Sequence, residues 1–203
     1  MILAGELSSG AKLNEASLAE MLGISRGPVR EAFRALEESG LVRQEKNCGV
    51  FVRQISLEEA DEIYEIREEL EQLVGRKLAA TITPQQLKEL RALLYKMDKM
   101  VAKENVGGYY LLNLEFHDLL VSQTGNKKLL ATYRRLVNEL NLYRRNTLEQ
   151  HGTLPVSTRE HHEIIDQIAF GNVDAAGKIM RQHVIDSRHR MHRVQAGMNP
   201  DSP

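Results

Sequence analysis

The stretch from Ser25 to Val42, SRGPVREAFRALEESGLV, carries both a start and a stop signal for a helix. The Ser25 hydroxyl can accept from an early helical N–H, which suits an N-cap. Pro28 falls in the first turn, where its missing N–H costs little. Val29, Ala32, Phe33 and Leu36 recur at helical spacing, and Gly40 ends the run. Upstream, Glu15–Leu22 reads as a shorter helix with Leu18, Ala19 and Leu22 on one side, closed by Gly23 where a left-handed residue belongs. Downstream, Leu41–Arg43 and Val50–Arg53 read as two short strands, joined by a polar, glycine-bearing tip from Gln44 to Gly49. Helix, tight turn, helix, hairpin is the order of a winged helix-turn-helix.

That order assigns chemistry to particular side chains. In a helix-turn-helix the second helix enters the DNA major groove and its N-terminal residues reach base edges. Here those residues are Ser25, Arg26, Gly27 and Arg30. Arg26 and Arg30 are one turn apart and project from one side. An arginine fork can bond O6 and N7 of a guanine together. Gly27 leaves room for close backbone approach, and the Ser25 end of the helix suits a phosphate. The hairpin tip, with Lys46, Asn47 and Gly49, can reach the adjacent backbone or minor groove. The two arginines taken alone also fit surface pairs with Glu31 or Glu37.

Bulk composition limits the alternatives. The chain has 203 residues, 42% hydrophobic and 27% charged, ordinary for a globular protein. No apolar run approaches the roughly 20 residues needed to span a bilayer. The opening MILAGELSSG has no basic segment and no long apolar core, so no signal peptide is read. Cys48 is the single cysteine, which excludes an internal disulfide. These features imply the cytoplasm. Net charge is −1, and residues 1–54 hold seven basic and seven acidic side chains. DNA binding therefore needs the positive charge gathered on one face.

From Ser56 onward the pattern is long and helical. Six helices are predicted. The first spans about 57–80, with Ser56 and Glu59 as a capping box and Ile63, Ile66, Leu70, Leu73 and Val74 as its apolar stripe. The second follows Thr83-Pro84, with Leu87, Leu90, Leu94 and Met97 on one face. The others cover about 109–123, 126–150, 156–170 and 173–194, and the tail from Ala196 frays. The expected fold is mainly α. Residues 1–54 form a winged helix-turn-helix with a small β-hairpin, and residues 55–203 an antiparallel all-α bundle, for which the resemblance named below implies effector binding and dimerisation.

Seven histidines need sorting. His117 follows Asn113 by one turn, and His161 and His183 fall on two further helices. Three imidazoles from three helices of a bundle can converge on a divalent ion. Spacing across helices does not establish this, and each histidine alone also fits a surface or a satisfied core position. His162 competes with His161.

NEASLAEMLGISRGPVREAFRALEESGLV followed by GVFV resembles the GntR superfamily of bacterial repressors. The remainder resembles the helical effector domain of the FadR subfamily, called FCD, in EIYEIREELEQLV, NLEFHDLL, HHEIIDQIAFGN and MRQHV. Members usually carry a full helix before ILAGELSSGAKL, of which Met1-Ile2-Leu3 match only the end, so the resemblance implies a shortened first helix. It also implies a homodimeric repressor on a palindromic operator, switched by a small effector. FCD domains with a metal site place Asp or Asn one turn before a histidine, with two later histidines. Asn113, His117, His161 and His183 match, and the family spacing to Gly171-Asn172 selects His161 over His162. The implied metal is zinc first, with nickel and manganese also suited. A carboxylate effector at that metal would be met by Arg67 and by the stripe Arg134, Asn138 and Arg145. The stripe equally fits a solvated helix edge, and Arg67 equally fits a pair with Glu71. A metal-dependent enzyme is the alternative function. Against it, no HExxH occurs, and Glu163 and Asp166 are the acids near the ligands.

Overall fold

Most helix starts in this chain are set by side chains that satisfy backbone N–H groups otherwise left orphaned. The computed structural model describes residues 1–3, 6–148 and 152–197; the side chains at 141, 142, 145 and 146 are outside that description. The fraying expected from Ala196 therefore falls mostly outside it. Asn14 accepts from Ala16 and Ser17 at 2.8 and 3.1 Å and starts α1 (Glu15–Leu22). Gly23, at φ 66°, closes α1 in the left-handed conformation, as expected. Helix α2 (Arg26–Glu38) follows the extended Ser25, but the Ser25 side chain makes no capping bond. Leu13, Ala19, Val29, Phe33, Val42 and Val52 form the core of this first unit.

The hairpin strands are β2 (Val42–Glu45) and β3 (Gly49–Val52), each shifted by about one residue from the expectation. A third strand, β1 (Lys12–Leu13), pairs antiparallel with β3 and gives the sheet order β1-β3-β2. Two residues carry no alternation, so β1 had no sequence signal. At the tip Asn47 sits at φ 64° and Gly49 at φ 117°. An apolar groove of about 350 Å³ is lined by Met1, Ile2, Leu3 and Leu7 and by Leu18, Leu22, Ile24 and Phe33, with Leu22 and Ile24 exposed.

The second unit holds seven helices among the described residues, not six. They are α3 (Leu57–Thr81), α4 (Pro84–Ala102), α5 (Val106–Gln123), α6 (Lys127–Glu139), α7 (Asn141–Leu148), α8 (Thr153–Ala169) and α9 (Val173–Gln195). The helix expected over 126–150 breaks at the buried Leu140, where ψ relaxes to −1°. Ser56 caps α3 as read, accepting from Glu59 N at 3.0 Å. The Glu59 carboxylate does not complete the box, because Arg53 takes it at 2.6 Å. A full capping box forms instead at Thr83 and Gln86, opening α4.

Helices α3 and α9 pair along most of their lengths. Their approach depends on glycine: a Cβ at Gly75 would run into the Ala176 carbonyl, and one at Gly177 would meet Arg76 Cγ at 2.6 Å. One large core runs through the bundle, with Leu78, Leu90, Phe116, Leu120, Ile164 and Met180 among its fully buried members. Each such side chain contributes about 1.5–3 kcal/mol. A smaller cluster, Ile55, Ile63, Tyr64, Leu140, Tyr143, Val184 and Met191, caps the end nearest the first unit. Two residues read as core depart from it. Ile66 and Leu73 are 50% and 43% exposed, on the outer side of α3. Among the described residues, no helix is long and apolar enough to cross a membrane.

Candidate functional site

Three helices of the bundle each bring one buried histidine to a common point. His117 comes from α5, His161 from α8 and His183 from α9, and all three are almost fully buried. Their Nε2 atoms face one another: His117 to His161 is 3.2 Å and His183 to His117 is 3.3 Å. The Nδ1 atoms point outward to separate partners. His117 Nδ1 lies 3.2 Å from Glu71 Oε2, and His183 Nδ1 lies 2.7 Å from Glu160 Oε2. His161 Nδ1 lies 3.4 Å from the Tyr109 hydroxyl.

The Tyr109 hydroxyl can donate or accept, so it does not set the His161 tautomer. Beside His117 and His183 a carboxylate favours the proton on Nδ1 and turns the Nε2 lone pair toward the cluster. Such lone pairs, aimed at one another, repel unless a cation sits between them. For bonds of about 2.0–2.1 Å, two ligands of a tetrahedral zinc lie about 3.3–3.4 Å apart. The separations of 3.2 and 3.3 Å fit that spacing, and all three ligand nitrogens lie within 4.8 Å of one another. Asn113, one turn before His117, is buried, and its Oδ1 has no hydrogen-bond partner. An unsatisfied buried acceptor in such a cluster is what a fourth ligand would be.

Charge around the cluster is balanced by pairs. Burial, the dominant effect, lowers His117 to about 4 although Glu71 pulls the other way. Burial likewise holds His161 well below the ordinary histidine value. For Glu71 burial acts upward, but the Arg67 guanidinium and then His117 overcome it and keep the carboxyl well below the usual range. Arg67 donates to Glu71 Oε1 through Nε at 3.1 Å and Nη2 at 2.5 Å. Glu160 is lowered to about 2: burial opposes the shift, and His183 and Arg190 outweigh it. Arg190 grips Glu160 with both Nη atoms, at 2.6 and 2.9 Å.

A cavity of about 20 Å³ adjoins the histidines, lined among others by Arg67, Asn113, Arg144, Ser157, Ser187 and Arg190. Arg67 Nη1 and Arg144 Nη1 are buried there without partners. Of the four effector contacts expected from sequence, Arg67 lines this cavity. Arg134 does not: it grips Asp118 on the outer face at 2.6 and 2.7 Å. Asn138 does not either, because it donates to Ser39 O at 2.9 Å, across to the end of α2. The side chain of Arg145 lies outside the described residues. The break at Leu140 resets the helical phase, so the cavity receives Arg144 and Thr147 instead. Arg190 was missed as well. Its only signal was its place one and two turns beyond Ser187 and His183 on α9. His162, the rival ligand, is exposed and pairs with Asp98 at 3.0 Å.

The residues assigned to DNA sit on the first unit. Ser25, Arg26, Gly27 and Arg30 are exposed at the start of α2, and Lys46 and Asn47 at the tip with Gly49 behind them. Nothing lies within 4 Å of a Cβ built on Gly27. Arg30 is engaged, but with neither acid named from sequence: its Nε bonds Glu15 Oε2 at 2.8 Å. Glu31 is taken by Arg34.

A winged helix-turn-helix joined to a helical bundle with a histidine-lined cavity defines a class of two-part, DNA-binding regulators. Residues 1–52 match the description "Bacterial regulatory proteins, gntR family" and residues 62–186 match "FCD domain". The chain belongs to the GntR family, with an FCD domain. It is 30% identical to the HTH-type transcriptional regulator YdhC of Bacillus subtilis, over 97% of this chain and 89% of that protein. It is 24% identical to the HTH-type transcriptional repressor RspR of Escherichia coli, over 93% of this chain and 83% of that one. Its fold is similar to the structure of E. coli McbR/YncC, with a TM-score of 0.85 at 22% identity, covering 95% and 92% of the two chains. The protein is thus a transcriptional regulator of this family, and the family is not one of enzymes.

Proposed function

We propose that this protein is a ligand-responsive repressor that acts as a homodimer on a palindromic operator in the bacterial cytoplasm. Its units divide at residues 54 and 55. The observation that carries the ligand-binding half is the convergence of the His117, His161 and His183 Nε2 atoms. With Asn113 Oδ1 they would hold a divalent metal, zinc in preference to nickel or manganese. When bound, the metal supplies a Lewis-acidic centre with open positions. The unpartnered N–H groups of Arg67 and Arg144 support an anion beside it, and a small carboxylate matches that donor set.

The cavity is little larger than the roughly 10–15 Å³ that one water needs. A larger acid must displace part of its wall, and α7 is the short helix in that wall. Ligand binding then favours one arrangement of the two units over another, as any switch requires. On the DNA side, Arg26 and Arg30 read base edges, Ser25 and Gly27 approach the backbone, and Lys46, Asn47 and Gly49 reach from the wing. Repression is supported by the likeness to RspR, which is named a transcriptional repressor. Ile55 packs with the bundle while Val52 packs with the first unit, which supports the 54/55 division.

Footprinting on the DNA flanking the protein's own gene, with and without zinc and a panel of small carboxylates, tests the proposal. Protection that metal and one acid together modulate is expected. Absence of protection under every condition overturns it.

A further inference from the structure

Among the described residues, the charges around the histidine cluster do not balance. Three guanidinium groups line the cavity beside it, those of Arg67, Arg144 and Arg190. Two carboxylates answer them. Glu71 takes Arg67, and Glu160 is gripped by both Nη atoms of Arg190. Arg144 keeps a buried Nη1 without a partner, and no acidic side chain lines the cavity itself among the described residues. With the histidines neutral, as metal ligands must be, three positive groups face two negative ones.

That surplus would rise by two with a divalent metal bound. Asn113 is an amide and supplies no charge, so the set of protein donors is neutral throughout. A buried charge without a counter-charge is costly. A singly charged ligand would leave the site one unit more positive than it was without the metal, whereas a doubly charged one restores it. The spare donors agree with two carboxylates rather than one. The first would take an open position on the metal. The second is left to Arg67 Nη1 and Arg144 Nη1, which come from α3 and α7 and are buried without partners. A charge-assisted bond to each suits a carboxylate. The Nη atoms of Arg190 are already committed to Glu160.

We infer that the ligand of this cavity is a small dicarboxylate, which enters together with the divalent metal as an electrically neutral pair. The inference rests on the metal and carboxylate site proposed above and adds the ligand's charge and its coupling to the metal. Metal and dianion then each raise the affinity for the other by the same factor.

Isothermal titration calorimetry on the whole protein tests this with ligand pairs that differ by one charge and little else. Malonate and succinate are each compared with their half-amides, malonamate and succinamate, on the zinc-loaded and the metal-free protein, with zinc retention checked by elemental analysis. Each dianion is expected to bind the zinc-loaded protein roughly tenfold or more tighter than its half-amide, and tighter than it binds the metal-free protein by a similar factor. Asn113→Asp supplies one negative charge from the protein, so the ratio of dianion to half-amide affinity should fall toward one. Arg144→Met removes the surplus cation and should lower the same ratio. Sulfate carries its double charge on a single centre and should bind less tightly than either dicarboxylate; tighter binding overturns the dicarboxylate. Half-amides that match the dianions on the zinc-loaded wild type, or a ratio that both variants keep, overturn the inference and leave the carboxylate site standing. Zinc-loaded protein that binds none of the four carboxylates overturns that site and this inference together.

Discussion

The Tyr143 hydroxyl donates to the backbone carbonyl of Ile55 at 3.1 Å, joining residues 88 apart in sequence. Ile55 is the first residue after the wing to pack with the bundle, and Tyr143 is next to the cavity-lining Arg144. One residue beyond the other end of this turn, Glu139 lies 3.4 Å from Arg53. On the proposed function, a ligand that moved Arg144 would therefore pull on the chain that carries α2. Tyr143→Phe removes the bond and keeps the ring. It should cost about 1 kcal/mol in denaturant unfolding and leave metal content unchanged. The ratio of DNA affinities with metal and with chelator, measured by fluorescence anisotropy, should fall toward one.

The histidine cluster makes a selective prediction. His161→Ala removes one of three converging nitrogens, whereas His162→Ala removes an exposed partner of Asp98. Elemental analysis should show most of the metal lost in the first variant and little lost in the second. Chelation of the wild type should lower its melting temperature, and zinc at about a hundred times its dissociation constant should restore roughly 2.7 kcal/mol.

Much of this was legible in the sequence, and the gaps have physical causes. The capping and stop signals around α1 and α2 are local, so residues 15–40 were read almost to the boundary. The three histidines could be assigned to three helices, but only the tertiary fold brings their Nε2 atoms together. Arg134 and Asn138 were read as pocket residues on the premise of one continuous helix. The break at Leu140 involves a buried leucine with no proline or glycine near it, so nothing local announced it. Ile66 and Leu73 keep helical periodicity with the core residues of α3 yet face outward, because periodicity finds apolar faces and does not say what covers them.

The Arg67–Glu71 pair is buried at 2% and 0% side-chain exposure. Removing one member leaves an uncompensated charge in the bundle, which costs more than the pair itself contributes. Arg67→Leu should lose about 3–5 kcal/mol of stability, read from urea unfolding. Arg67→Leu/Glu71→Leu should recover most of that loss. It should also release His117 from the partner of its Nδ1 and so lower metal content.

Gly75 sets how closely α3 and α9 approach. A side chain there meets backbone at Ala176, which cannot swing aside, so the helices must separate. At Gly177 the first obstacle is the Arg76 side chain, which can move, although Gln72 O is 3.3 Å away. Gly75→Ala should therefore destabilise by roughly 1–3 kcal/mol, the usual range for overpacking, and Gly177→Ala by clearly less. Metal content should fall in the Gly75 variant alone, because His183 rides on α9. Denaturant unfolding and elemental analysis of the same samples check both statements.

Arg30 and Arg26 differ in a way that separates their roles on DNA. Arg30 is held by Glu15 of α1, while Arg26 has no ion-pair partner among the described residues. To reach a guanine, Arg30 must exchange a carboxylate for a base edge, and Glu15 is then left near phosphates of the same sign. Glu15→Gln should therefore tighten binding to every duplex, since it removes both the competing partner and the repulsion. Arg30→Ala should weaken binding to the operator and relax discrimination at one base pair by roughly tenfold or more. Discrimination elsewhere should be unchanged. Arg26→Ala should act at a neighbouring position by the same measure. Anisotropy titrations against a duplex from the footprinted site, with single base-pair replacements and at two salt concentrations, resolve the three variants. Discrimination unchanged in Arg30→Ala would return that side chain to a structural role, bridging α1 and α2.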